Sequence, residues 1–360
     1  MDFRDAMLSI KARIDIEDTS LPISLPRFNE FLGGISDEEM YLLFGATGTS
    51  KTKLAIKLFV LDLLNQYLEN PDNDFHVIYA TLELSATEIY YNIFCNALHR
   101  QTGNNYSIKF FKNKIQDDPL TNDRYEEFKL IMPWLKKLDK KVTIIDHIKQ
   151  PSKLYQYIRW KLNNEWGTVD ETSNKYVKHN PRKKIIIITD TINALQKDTE
   201  DADEYTSIKR WSNYYCKQLL KMFYKCSIIN IQQSDKQSTT VQYTGKGERI
   251  EDKFIPRVEN LSTVKTTPDD HTTVISIYNP SRYGVSECEG YKVGPLGNHF
   301  RYLNVLKNSH GDENKGVGIY IDNAHLEAVE LPRPDQIDNL CGTLSLLGID
   351  YLSRPGGFGF

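Results

Sequence analysis

One stretch constrains this chain more than any other: MYLLFGATGTSKTKLAIKLF at residues 40–59. A short apolar run, Tyr41–Phe44, breaks into a polar octet, and hydrophobic residues then return with helical spacing over Leu54–Leu68. The octet is Gly45-Ala46-Thr47-Gly48-Thr49-Ser50-Lys51-Thr52. Between a strand and a helix, such a turn points successive backbone N–H groups at an anion lying at the positive end of the helix dipole. Lys51 is then placed to reach the β and γ phosphates of a nucleotide, and the Thr52 hydroxyl to take a Mg²⁺ position. The usual spacing is G-x-x-x-x-G-K-[ST], and here Ser50 stands where the second glycine is expected, with its Cβ close to the phosphates. The plain alternative is a Gly/Thr-rich turn without a ligand. The strand before, the helix after and the Lys-Thr pair favour ATP with Mg²⁺.

Further apolar runs predict strands at Phe75–Leu82, Val142–Ile145, Ile185–Ile188 and Ser227–Ile231, with others near 272–278, 302–306 and 316–321. Four consecutive isoleucines, Ile185–Ile188, are what a central parallel strand buried on both faces requires. Helices are expected over residues 86–98, where Ser85 and Glu88 form a capping box, and over 104–139, 152–166 and 204–224. Alternating strands and helices predict an α/β fold with a mostly parallel central sheet covered by helices on both faces. Ligands of such sheets bind at the carboxyl ends of strands. Residues 167–182 are polar and without periodicity, as in a surface insertion, and 234–256 is a Gly-, Lys-, Gln- and Thr-rich loop. The expected organisation is an arm over 1–34, a core domain over 35–330 and a Pro- and Gly-rich tail over 331–360, with no internal repeat.

Composition narrows the function classes. Forty-five Lys+Arg against 48 Asp+Glu give a net charge of −3, which argues against coating nucleic acid over the whole surface but allows a local basic channel. Five widely spaced cysteines with no C-x-x-C pair argue against a disulfide framework or a zinc site. No run approaches the roughly 20 apolar residues of a membrane span, and the charged N-terminus has no apolar leader core. The expectation is a soluble, cytoplasmic protein.

The strand ends supply candidate chemistry. Asp190 closes the isoleucine run, where an acid can hold the water shell of Mg²⁺. Glu83 closes the strand after the P-loop helix and is placed to polarise the attacking water, although a carboxylate there also suits a helix N-terminus. Gln232 follows the 227–231 strand and is the candidate γ-phosphate sensor. In the next loop Lys236, Lys246, Arg249 and Lys253, with Lys265 beyond it, are candidate DNA contacts, and Tyr243 is a candidate stacking residue. The alternative for such a loop is simple solvation.

Taken together these segments resemble a family. ATLELSATEIYYNIF resembles the "SLEMS" segment of RecA-like P-loop ATPases of the DnaB type, the hexameric replicative helicases. IIIITDTINALQK is similar to their Walker B strand with its "DYLQL" turn, SIINIQQSD to their "LSQL" strand, and HFRYLNVLKNSHGDENKGVGIYID to their "KxRxGxxG" hairpin. The resemblance covers about 35–325 in consistent order. It implies a RecA-like core, a homo-oligomeric ring of six with ATP at each interface, and single-stranded DNA in the pore. It also implies 5′ to 3′ translocation, partners such as a primase, polymerase or loader, and a phage-like protein in a bacterial cytoplasm.

Three departures accompany it. The family's amino-terminal domain has no counterpart, so a motor with a short arm is expected. Ser50 replaces the glycine. Where the hairpin donates Lys-x-Arg to the neighbour's ATP, this chain has Lys307-Asn308-Ser309, so Lys307 matches and the arginine finger does not. An arginine finger is typically worth about 10³–10⁵ in rate, which predicts slow turnover unless Arg301 or Lys307 substitutes. Arg282 is a candidate for the nucleotide base or a subunit interface, and the terminal GGFGF for docking on a partner. Two competing readings remain: a RecA-type recombinase forming open filaments, and a slow ATP-dependent switch or loader.

Overall fold

The apolar runs pair side by side into one sheet, flanked by helices that cover their alternating faces. This computed structural model describes Met7 and residues 20–115, 119–234, 256–258, 261 and 266–349. Its strands are β1 (Met40–Gly45), β2 (Phe75–Thr81), β3 (Val142–Ile145), β4 (Gly167–Asp170), β5 (Lys175–Lys178), β6 (Lys184–Asp190) and β7 (Ser227–Gln233). They continue with β8 (Thr273–Tyr278), β9 (Glu287–Cys288), β10 (Tyr291–Lys292), β11 (Phe300–Asn308), β12 (Lys315–Asp322) and β13 (Glu327–Glu330). Among the described residues the main sheet has nine strands in the order β13-β12-β11-β8-β1-β7-β6-β2-β3. From β3 to β8 every neighbouring pair is parallel, and β11, β12 and β13 then add antiparallel. The fold is therefore the expected α/β type, with an antiparallel meander on one edge.

The isoleucine run shows why β6 is central. Ile185 to Ile188 are all fully buried. Ile186 and Ile188 enter one hydrophobic cluster, and Ile185 and Ile187 enter the cluster on the opposite face. Each such burial contributes roughly 1.5–3 kcal/mol, so a strand buried on both faces anchors two layers at once.

Helix α1 is Pro26–Leu32. Helix α2 (Lys51–Ile56) follows the glycine-bearing turn and passes through a π-helical turn (Lys57–Leu61) into α3 (Asp62–Glu69). Helix α4 (Ala86–Thr102) starts on the expected capping box: Ser85 Oγ accepts from the Glu88 amide and Glu88 Oε2 from the Ser85 amide. Helices α5 (Asn122–Asp139), α6 (Pro151–Lys161) and α7 (Glu204–Arg210) complete the main covering layers, α7 continuing as a π-helical stretch (Trp211–Phe223). A single turn, α8 (Thr267–Asp270), leads into β8.

Three segments differ from the sequence expectation. Residues 167–178 form the hairpin β4–β5, pinned by Tyr176, whose hydroxyl donates to the Leu162 carbonyl at 2.8 Å. Residues 20–34 are no loose arm: Leu21, Ile23, Leu25 and Phe28 join the main core, and Arg27 pairs with Glu330 at 2.8 Å. Residues 331–349 also pack, because helix α9 (Ile337–Leu346) buries Leu340 and Leu344 in a third cluster with Tyr291 and Phe300. Single apolar residues spaced among prolines and glycines carry too little periodicity to reveal such packing in advance. Among the described residues no helix is long and apolar enough to cross a membrane.

Candidate nucleotide site

The site is built at the carboxyl end of β1, where the strand stops and the chain turns into α2. Gly45 runs so close to β8 that a Cβ there would lie 2.5 Å from the Ile277 carbonyl oxygen, so no other residue fits. Ser50 is in the left-handed region, φ +75° and ψ 23°. For a residue with a side chain that conformation costs about 1–2 kcal/mol, which is the physical reason a glycine is usual at this position. Its carbonyl accepts from the Leu54 amide at 2.9 Å and so opens the helix. Thr49 Oγ1 folds back to donate to the Ala46 carbonyl at 2.9 Å, tightening the turn from within.

Lys51 lies beneath the turn, only 6% exposed, with Nζ donating to the Gly45 and Ala46 carbonyls at 2.8 Å each. Burial pulls its pKa down to about 8, against the opposing attraction of Asp190 and Glu83 and with repulsion from Arg282 adding to the fall. Asp190 closes β6 and is buried. Burial pushes its carboxyl pKa up, while hydrogen bonds from the Tyr79 hydroxyl, at 2.7 Å, and from Thr52 hold it down. A buried carboxylate beside a threonine hydroxyl is a hard-oxygen pair that fits Mg²⁺. Such an ion keeps waters and phosphate oxygens as its remaining ligands, so a cage of three protein carboxylates is not required.

Across the turn, Glu83 is exposed and its Oε1 accepts from Thr191 Oγ1 at 3.0 Å and from Gln233 Nε2 at 2.8 Å. The Gln233 amide N–H donates to Asn193 Oδ1 at 2.8 Å, and Thr47 Oγ1 donates to Gln233 Oε1 at 3.4 Å. Gly48, Ser50, Lys51, Thr52, Glu83 and Gln233 thus line one cleft of about 410 Å³. Its far side is closed by Lys53 and Asn323, where Lys53 Nζ donates to the Asn323 carbonyl at 2.6 Å.

The sequence-predicted residues fall into three groups. Gly45–Thr52, Asp190 and Glu83 come together in this one place. Arg282 reaches the same turn, its guanidinium donating to the Thr47 carbonyl. Gln232 does not line the cleft. Side chains alternate along a strand, and Gln232 shares the face of Ile228 and Asn230, fully buried, whereas Gln233 shares the face of Ile229 and Ile231 that packs toward α2. The glutamine at the cleft is Gln233, and counting the alternation from Ile229 would have found it.

Lys307 lies on β11 opposite Val274, near the start of β8 and so at the other end of the sheet from Gly45, with Nζ donating to the Pro268 carbonyl at 2.8 Å. Arg301, the candidate substitute finger, is 1% exposed and lies beneath its own turn, donating from Nε to the Thr49 carbonyl at 3.0 Å. It is therefore committed to the phosphate turn of its own chain. Lys236, Tyr243, Lys246, Arg249, Lys253 and Lys265, like the GGFGF terminus, lie outside the described residues. Thr191, Asn193, Tyr79 and Asn323 carried no sequence signal, because each acts through a neighbour brought to it by the fold.

No family profile and no curated protein matches the sequence. Among solved structures the chain is similar to an ATPase domain, with 14% identity and a TM-score of 0.64 over 92% of this chain and 99% of that one. It is similar to the same degree, 14% identity and TM-score 0.64, to a DnaB-like replicative helicase whose structure was described with its interactions with primase, over 92% of this chain and 69% of that one. At that identity the likeness speaks for architecture alone. The chain has the fold of a RecA-like ATPase domain of the DnaB type.

Proposed function

We propose that this chain is a Mg²⁺-dependent ATPase that works as a DnaB-type replicative helicase, assembled as a ring, probing single-stranded DNA with the β7–β8 loop. The observation that carries the reading is the convergence at one end of the sheet of a glycine-bearing turn, a buried lysine, a buried acid beside Thr52 and an exposed, oriented carboxylate. Lys51 would leave the two carbonyls it now serves and meet the β and γ phosphates, and the backbone amides of the turn would meet the remaining oxygens. Thr52 and Asp190 would hold Mg²⁺, which would supply charge neutralisation for the phosphates. Glu83, held by Thr191 and Gln233, would orient and polarise the attacking water. Gln233 lies directly before the β7–β8 loop and is suited to link the state of the γ-phosphate to that loop. Lys307, remote from its own cleft, would act on the neighbouring subunit's nucleotide. Ser309 in place of an arginine supports a slow motor, and open filaments in place of closed rings would favour the recombinase reading.

ATP hydrolysis measured with and without single-stranded DNA tests this. The native chain is expected to be stimulated by DNA, Lys51→Ala to lose nucleotide binding, and Glu83→Gln to bind ATP while losing about 10²–10⁴-fold in turnover. Undiminished turnover in Glu83→Gln sinks the assignment of the water-activating residue. Binding without measurable turnover in the native chain replaces the motor with the switch.

A further inference from the structure

Ser50 and Arg301 are 251 positions apart in sequence and meet at the phosphate turn. Ser50 adopts the left-handed conformation. Arg301, from the first turn-facing position of β11, donates from Nη2 to Ser50 Oγ at 3.2 Å and from Nε to the carbonyl of the preceding residue, Thr49, at 3.0 Å. Its Nη1 donates to the Asn298 and Phe300 carbonyls at 2.8 and 2.7 Å. With its amide oxygen turned toward the guanidinium, Asn279 accepts at 3.2 and 3.3 Å as well.

Every one of these acceptors is neutral, and among the described residues no carboxylate pairs with this buried charge. Burial accordingly lowers its pKa to about 10. A charge removed from water without a counter-ion is unfavourable unless its hydrogen bonds fix something that needs fixing. Here the fork of the guanidinium spans the two residues immediately before Lys51. A rigid, planar donor set can grip a backbone carbonyl and the next residue's hydroxyl at once, a fork that a flexible ammonium does not offer.

We propose that Arg301 is a positioning residue for the phosphate turn, bracing Ser50 in the backbone conformation that a glycine adopts unaided, so that Arg301 and Ser50 together stand in for the glycine of the usual motif. This rests on the reading of the cleft as an ATP site. It adds a residue outside the motif on which the geometry of the motif depends.

The test is a double-mutant cycle on the full chain: native, Arg301→Met, Ser50→Gly and the double variant, each titrated calorimetrically with a non-hydrolysable ATP analogue and Mg²⁺ and melted thermally. Arg301→Met is expected to weaken the analogue about tenfold or more in the native background, and by less than about threefold where Ser50→Gly is already present. In the double variant affinity returns to within about threefold of native while Tm stays below native, because the bonds to Asn298 and Phe300 are still missing. A merely structural arginine gives additive losses with no rescue, and that result overturns the proposal, as does native affinity in Arg301→Met. If Arg301→Met does not fold, the cycle with Arg301→Lys carries the same two outcomes. If the native chain itself binds no analogue, the ATP reading fails and the Tm cycle still decides the brace. A larger Tm gain from Ser50→Gly in the Arg301→Met background than in the native one upholds it, and equal gains refute it.

Discussion

Glu83 stands exposed at the mouth of the cleft, and two neutral donors, Thr191 and Gln233, fix the direction of its carboxylate. Neutral donors orient a carboxylate without removing the negative charge that water activation needs. One position away along β7, Gln232 points to the opposite face and is fully buried. The two glutamines therefore differ in placement, one lining the cleft and one in the interior. Gln233→Ala is expected to lower turnover by about 10–100-fold with little change in stability, because the carboxylate loses a guide. Gln232→Ala is expected to lower stability by about 1–3 kcal/mol with turnover per folded molecule nearly unchanged, because a buried polar group loses its place. Steady-state hydrolysis paired with chemical denaturation of both variants checks this, and a turnover loss confined to Gln232→Ala contradicts the placement.

At the scale of elements, a buried polar chain ties strand β7 to the foot of β8. His271, just before β8, has its Nδ1 2.7 Å from the Thr267 carbonyl, and Asn230 on β7 donates to its Nε2 at 3.0 Å. Trp211 completes the chain by donating to Asn230 Oδ1 at 3.4 Å. This bonding uses the neutral ring, one nitrogen donating and the other accepting. Burial drives the His271 pKa down to about 4, outweighing the Thr267 carbonyl and Asp270, with Lys307 and Lys221 adding to the fall. Because the unfolded chain takes up the proton near pH 6.5 and the folded chain only near 4, the stability tied to this residue is complete above 6.5. It is lost as the pH falls toward the folded value, by about 3 kcal/mol in all. Denaturation midpoints followed from about pH 7 to about pH 4 should fall less steeply in His271→Gln than in the native chain. Parallel slopes would show that another group takes up the proton.

At the scale of the molecule, the parallel sheet sends β1, β2, β6 and β7 out at one end and so gathers the turn, Glu83, Asp190 and Gln233 there. Strand β11 runs the other way, so it starts beneath that cleft with Arg301 and finishes at the far end with Lys307 and exposed Ser309. In the proposed ring, a group at that end would serve a nucleotide only across a subunit boundary. Ser309→Arg is accordingly expected to raise turnover in the assembled oligomer by about tenfold or more, toward the contribution an arginine finger makes, and to do nothing in dilute monomer. Unchanged rates in the assembled protein would place the boundary elsewhere. Much of this arrangement was legible beforehand. The isoleucine run, the capping box at Ser85 and the strand–turn–helix at residues 40–59 are local patterns, since periodicity, caps and glycine placement act through bonds within a few residues. From them followed the fold class and the gathering of the turn, Asp190 and Glu83 at one end of the sheet. Which glutamine faces the cleft, why a serine is tolerated in the left-handed position, and why Arg301 is held beneath its own turn were decided by tertiary structure alone. Those outcomes depend on the face a strand presents and on a side chain arriving from 251 residues away, and neither is encoded in any local window of the chain.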